Sequence, residues 1–330
     1  MPALAYHTGY QRKTYAPLVE KAFYFVNTGQ PYFSKSSTYL LYCPLNPSLL
    51  KKKNRAGIIL FILATVLPLL LALGYALLYS LGLAGILSEG FTLKHWQKML
   101  PNAEMWQSLG YTLYLTLASL LPATAGALLL STRLRQTIGQ GKASYLIYFP
   151  LAIPAIVAAF FSLQLLAKTG VFSRVLYQIG WISQLNQFPD LVNDQYGFGI
   201  LFAHWLMATP FLTVMFLGMY DGERLDDLQQ VSITLGASRW QSYWKVIIPV
   251  LLRKGYPTVV LYGIFIFGAY EIPLLLGRQS PEMISVLATR KVKERYDLLQ
   301  LPEGYVVAVV YSLLMIISVL WLLRKQRQAL

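Results

Sequence analysis

The sequence predicts an all-α membrane protein with six transmembrane helices and with both termini in the cytoplasm. Composition is the first observation behind this. Hydrophobic residues make up 56% of the chain and charged residues only 13%, with mean hydropathy +0.49, whereas a soluble domain carries about 25% charged residues. The second is a set of six apolar stretches, each near the ~20 helical residues that a hydrocarbon core of about 30 Å requires. The third is the placement of lysine and arginine, which gather at the ends of those stretches on one side. A net charge of +14 would suggest nucleic acid in a soluble protein. Here basic helix flanks account for it, and the implied surroundings are a lipid bilayer, not a nucleic acid.

Residues 1–55 carry Tyr6, Tyr10, Tyr15, Tyr24, Tyr32, Tyr39 and Tyr42 among polar residues and lack the apolar core of a cleavable signal peptide. They read as an N-terminal cytoplasmic extension or as the product of an upstream start codon. Residues 56–330 form the transmembrane domain. Lys51, Lys52, Lys53 and Arg55 hold the start of the first span, Ile58–Leu81, in the cytoplasm. The loop Gly82–Trp106 contains an amphipathic run, Phe91–Trp96, suited to the membrane interface. Thr112, Thr116, Ser119 and Thr124 dilute the second span, Leu109–Leu130, in the way common on faces that pack against other helices. Arg133, Arg135 and Lys142 then return the chain to the cytoplasm.

Pro150 and Pro154 are expected to kink the third span, Tyr145–Leu166. The outer loop Thr169–Tyr196 opens with a short surface helix near Val171–Leu176, and a soluble binding protein would dock on loops of this side if one is a partner. Gly199–Met219 is the fourth span, with His204 and a kinking Pro210. Residues 221–255 form the main cytoplasmic loop, and Thr258–Leu276 is the fifth span. The following outer loop mixes Arg278, Arg290, Lys291, Lys293 and Arg295 with Glu282, Glu294, Asp297 and Glu303. The sixth span, Tyr305–Leu323, ends in Arg324, Lys325 and Arg327, again cytoplasmic.

The cytoplasmic loop is the most ordered polar segment of the chain. Leu225 to Leu235 reads as a helix closed by Gly236, the residue expected where a helix ends in a left-handed conformation. A second short helix, Ser238 to Val246, places Trp240, Tyr243, Trp244 and Ile247 along one side, and Pro249 ends it or opens the next. Two short helices joined at a glycine make a knob suited to docking a partner.

From Gln230 to Pro249 the loop resembles the "EAA" loop of binding-protein-dependent ABC importer permeases of the MetI-like superfamily. The matching residues are Gly236, Ala237 and a proline thirteen positions after the glycine, Pro249. The family's Glu-Ala-Ala falls on Gln230, Val231 and Ser232, so the acidic residue is absent. From Leu109 to Leu323 the order of spans looks like one permease domain. The resemblance implies a six-span subunit of the bacterial inner membrane that contributes half of a pore. It would work with a second permease (identical or homologous), two ATP-binding subunits and a soluble substrate-binding protein. The loop 221–255 would be the coupling loop, with Trp240, Tyr243 and Trp244 in the joint and Arg239 and Lys245 on its rim.

No phosphate-binding loop is recognisable. Gly139–Ala143 is the nearest candidate, but it lacks the distant first glycine and the hydroxyl after its lysine. The chain is therefore expected to carry no cofactor or metal of its own and no ATPase site, with ATP bound by partner subunits. Glu271 stands deep in the fifth span, beside Tyr270 and ahead of Pro273. An intramembrane carboxylate points to a transport pathway or gate, or to a hydrogen-bonded group joining two helices. This segment resembles the fifth span of spermidine/putrescine- and iron(III)-type permeases, which leans the substrate towards a polyamine. His204 reads as a satisfied structural donor sooner than as a proton relay. Two other classes stay open on the residues alone. An ion-coupled secondary transporter would have Glu271 as its one mid-membrane carboxylate, and a membrane-embedded enzyme would have only His204 and Glu271.

Overall fold

The computed structural model describes residues 47–85, 88, 90–133, 135, 147–293 and 301–328. The N-terminal extension up to residue 46, the Gly139–Ala143 segment, the start of the predicted third span at Tyr145 and the basic and acidic residues between 294 and 300 lie outside the described residues. The chain parts into two compact units between Pro68 and Leu69. Among the described residues there is no strand, and six helical stretches are long and apolar enough to cross a membrane.

The helices are α1 (Pro47–Ser80), α2 (Lys94–Met99), α3 (Ala103–Arg133), α4 (Ala155–Leu166), α5 (Val171–Gln178), α6 (Phe198–Gly222), α7 (Leu225–Thr234), α8 (Arg239–Ser242), α9 (Ile248–Phe267), α10 (Glu271–Leu276), α11 (Ile284–Lys293) and α12 (Leu301–Gln328). The first, second, fourth and sixth spans match expectation, with α3 and α12 running several residues further at each end. Pro210 lies inside α6, which continues past it.

The third and fifth spans depart from expectation, and proline explains both. Crowding by a proline ring drives the preceding residue to extended backbone. Ile153 accordingly has ψ 123° and Pro154 ψ 150°, so a 3-10 turn, Phe149–Ala152, is separated from a helix that begins only at Ala155. The fifth span starts far earlier than predicted, because helix runs from Arg239 to Phe267, and it stops at Gly268. A helix continued through Glu271 would need Pro273 to donate to the Ala269 carbonyl, and proline has no N–H. The Ser285 hydroxyl satisfies that carbonyl instead, at 2.6 Å. Pro273 then sits in the first turn of α10, where no donor is required.

Within Leu69–Leu330 the centre is the packing of α3 against α6. Helices in lipid have no water to drive them together, so close approach of small residues and satisfied hydroxyls matter most. Ala123 and Ala127 of α3 are buried with Ala208, Leu212 and Phe216 of α6. Thr112, Thr116, Ser119 and Thr124 are all buried, as their spacing implied. Thr112, Thr116 and Thr124 each donate to the carbonyl four residues back, at 2.6–2.7 Å. The Thr112 hydroxyl also accepts the Ile284 N–H at 2.9 Å, which fixes the start of α11. Helix α9 approaches α6 at Gly255, where a Cβ would lie 2.7 Å from Phe216 Cε1. At the other end, Arg290 of α11 binds Glu104 of α3 and the buried Glu282, both at 2.7 Å, while Lys98 reaches the buried Glu303 of α12.

Candidate functional site

The loop between α6 and α9 is a braced two-armed structure. The first arm, α7, ends at Gly236 with φ 92°, a region that L side chains rarely adopt. The turn is closed by the Gly236 N–H on the Ile233 carbonyl at 2.9 Å and the Ala237 N–H on the Ser232 carbonyl at 3.1 Å. Ser238 then caps the second arm reciprocally. Its hydroxyl accepts the Gln241 N–H at 3.2 Å, and the Gln241 side-chain oxygen accepts the Ser238 N–H at 3.0 Å. The Ser232 and Ser242 hydroxyls meet at 2.5 Å and tie the arms together.

The second arm does not end at Pro249. Helix α8 passes through a π turn, Tyr243–Ile247, into α9, with Pro249 in the first turn of α9. Arm and fifth span are therefore one continuous helical stretch, Arg239–Phe267. Tyr243, expected among the partner contacts, is instead 8% exposed within the chain. Its hydroxyl lies 2.9 Å from Thr132 Oγ1 at the end of α3. The Thr132 proton is already directed at the Leu128 carbonyl, 2.6 Å away, so Tyr243 is the donor. Trp240 (60% exposed), Trp244 (50%) and Leu235 (83%) face outward, flanked by exposed Arg239 and Lys245. Gln230 is also exposed, and its carbonyl accepts the Thr234 hydroxyl at 2.9 Å.

A second brace reaches the first arm. Arg135 donates to Asp226 at 2.5 Å and lies 3.7 Å from Asp221, with its guanidinium 4.5 Å from the Tyr220 ring centroid. The Tyr220 hydroxyl donates to the other Asp226 oxygen at 3.3 Å. The hydrogen bond from Arg135 holds the Asp226 carboxyl below its ordinary range, and Asp226 in turn raises the Arg135 guanidinium.

The other singled-out residues gather around a cavity of about 430 Å³ lined by His204, Gly268, Tyr270, Glu271, Tyr311 and Met315. Glu271 does not lie in the middle of a continuous span. It opens α10, directly after the break at Gly268–Tyr270, and is exposed on the chain's own surface. His204 is buried in α6, and its Nε2 has no hydrogen-bond partner among the described residues, contrary to the satisfied donor expected. Pro273, two residues after Glu271 in α10, is buried.

The family model described as "binding-protein-dependent transport system inner membrane component" matches residues 123–330. The chain belongs to that family. This permease is similar to a probable ABC transporter permease protein of Brucella abortus, with 25% identity over 68% of this chain and 78% of the relative. It is similar also to the molybdenum transport system permease protein ModB of Azotobacter vinelandii, with 26% identity over 46% of this chain and 62% of that one. Among solved structures, a bacterial ABC transporter involved in the import of the acidic polysaccharide alginate shares the fold. Its TM-score is 0.60 with 18% identity, covering 85% of this chain and 96% of that chain. The chain is thus a multi-pass inner-membrane permease subunit of an ABC importer, and its family and fold are those of transport subunits, not of enzymes. None of these relatives is named for a polyamine or for iron.

Sequence reasoning missed the braces. Thr132, Arg135, Tyr220 and Asp226 do not belong to the Gly236–Pro249 pattern. The one signal on offer was complementary charge, because a basic stretch follows the second span and Asp226-Asp227 open the loop helix.

Proposed function

We propose that the braced loop of residues 221–255 is the surface on which an ATP-binding subunit docks, and that the chain supplies half of an ATP-driven import pore. The observation that carries this is a rigid two-armed knob presenting Leu235, Trp240 and Trp244 outward around a glycine that holds a positive φ. Large apolar side chains held out in water by a stiff scaffold are costly unless a partner covers them. Movement of such a partner would reach two spans at once. The second arm continues into α9, while Tyr243–Thr132 and Asp226–Arg135 carry the pull to the end of α3. A second permease (identical or homologous), two ATP-binding subunits and a soluble substrate-binding protein complete the assembly, with the knob in the cytoplasm. The resemblance of Tyr270–Gly277 to polyamine-type permeases is what supports a polyamine as the substrate class.

Gly236→Asp tests the docking role. A Cβ at position 236 meets nothing within 4 Å inside the chain, but φ 92° strains any L side chain, so the variant both reshapes the turn and puts a carboxylate on the docking face. The variant is expected in the membrane at normal abundance, with ATP-dependent uptake into vesicles of purified components reduced about tenfold or more. Normal uptake would remove the docking role. Uptake by this chain alone without ATP would replace the reading with an ion-coupled carrier.

A further inference from the structure

Resting on the docking role proposed above, we infer that the base of the knob is a receptor for one carboxylate, an aspartate or glutamate side chain of the ATP-binding subunit. A cleft of about 210 Å³ opens where both arms meet the ends of α3 and α6, and Arg133, Arg239, Gln229 and Trp240 line it. None of the residues lining it is acidic. Among the described residues neither guanidinium group makes an ion pair or a hydrogen bond, and the Gln229 amide makes no hydrogen bond. Two like charges brought to one small cleft repel each other, and an anion between them turns the interaction favourable. The hydroxyls that also line the cleft have their protons committed elsewhere. Tyr243 donates to Thr132, Thr132 to the Leu128 carbonyl and Tyr220 to Asp226. The free donors are thus the two arginines and the glutamine amide, a set that matches the oxygens of a carboxylate.

The charges of the knob decide where that carboxylate comes from. Every acidic side chain of residues 221–255 is already matched inside the chain, Asp221 and Asp226 by Arg135, Glu223 by Lys254 and Asp227 by Arg224. Position 230, acidic in the family's motif, is glutamine. The knob therefore has no spare carboxylate for a cation of the partner, and its unmatched arginines call for the opposite sign. Trp240 joins the cleft to the docking face. It lines the cleft, stacks on Tyr243 at 6.2 Å and is still 60% exposed, while the Arg133 guanidinium stands 5.8 Å from the same Tyr243 ring. A protein that covers Trp240 also displaces water from the cleft, which strengthens an ion pair formed there. A phospholipid phosphate carries the same sign but would leave the outward face of Leu235 and Trp244 uncovered.

The test measures binding of the purified ATP-binding subunit to the permease in nanodiscs, at low and high salt. Arg133→Gln and Arg239→Gln are each expected to weaken binding about tenfold, with the loss shrinking at high salt. The double variant should lose little more than either alone, because both arginines grip one carboxylate. Arg239→Lys keeps the charge without the paired N–H geometry, so it should recover only part of the affinity. In the Arg239→Glu background, lysine is placed at each acidic position of the ATP-binding subunit in turn, and one position is expected to restore binding. Both arginines are exposed, so the melting temperature of the permease should not move. Full binding by both glutamine variants, or no lysine that rescues Arg239→Glu, would overturn the receptor. So would a loss seen with phosphatidylglycerol in the nanodiscs but not with phosphatidylcholine alone, which would assign the cleft to a lipid headgroup. Full binding by the arginine variants beside lost binding in Trp240→Ala sinks the carboxylate receptor and leaves the docking role standing. Full binding by Trp240→Ala and Gly236→Asp as well removes both.

Discussion

At the scale of single residues, the aromatic side chains of the knob divide into two kinds that sequence spacing places on one stripe. Tyr243 is buried and hydrogen-bonded to Thr132, while Trp240 stacks on Tyr243 at a ring separation of 6.2 Å, Trp244 meets both rings edge-on at 5.5 and 5.7 Å, and the two tryptophans remain open to solvent. Tyr243→Phe should therefore cost about 1 kcal/mol of stability, because it leaves the ring in place and removes one bond. Trp240→Ala should leave the melting temperature of the isolated chain nearly unchanged and weaken capture of the ATP-binding subunit by about 2 kcal/mol or more. Thermal melts of the purified permease beside pull-down with its partner would separate the two, and a large loss of stability in Trp240→Ala would put that ring inside the fold. Asp226 adds a pH dependence whose sign is fixed by its brace. Its carboxyl is held below the ordinary range by Arg135, so the folded loop binds fewer protons than the unfolded chain as pH falls towards 4. The brace is fully present at neutral pH and is lost only in acid, as pH drops through the lowered value. Asp226→Asn should abolish that acid-side loss, as read by cross-linking between cysteines placed at Thr132 and Asp227 across pH.

At the scale of elements, what was legible and what was not follow from the range of the forces involved. Four of the spans could be read because burial in lipid demands a continuous apolar run, and such a run is visible in sequence. The Gly236 turn was legible for a similar reason, since a positive φ at a helix end leaves a local glycine signature. The break at Gly268–Tyr270 was not, because it depends on whether Ser285, sixteen residues away, satisfies the Ala269 carbonyl that Pro273 strands. Thr132 and Arg135 were illegible as braces because their partners lie far along the chain, at Tyr243 and Asp226. The π turn at Tyr243–Ile247 is the element with the sharpest consequence. Such a turn holds one residue more than an α-helix would over the same rise, so it sets the rotation of the tryptophan arm relative to α9. Deleting the exposed Lys245 removes that extra residue, so α geometry should return with Trp240 kept on its present side of the helix. Membrane insertion and coupling should both survive, with ATP-driven uptake within about twofold of wild type. A loss of about tenfold or more would show that the π turn itself is used, and not only the placement of Trp240.

At the scale of the whole molecule, the orientation of the knob decides whether any of this can act on an ATP-binding subunit, and charge is what argues it. Basic residues flank the N-terminal end of the first span and the C-terminal end of the sixth, and they recur after the second span and through 224–254. Among the described residues, some of the charges on the other side are paired within the chain. Arg290 and Lys291 are matched by Glu104 and Glu282, and Lys98 by Glu303. Lysine and arginine near helix ends are more numerous on the knob's side than on the other, and that bias, with the exposed Arg239 and Lys245 in the knob itself, favours a cytoplasmic knob. The expectation is checked with two cysteines in the Cys43→Ser background. One replaces Ser238 on the knob, and the other replaces Trp181, a 79% exposed residue just beyond α5. A membrane-impermeant maleimide should modify the Trp181→Cys chain in intact spheroplasts and the Ser238→Cys chain only in inverted vesicles. The opposite pattern would place the knob outside, where no ATP-binding subunit reaches it, and would leave Leu235, Trp240 and Trp244 to some other partner.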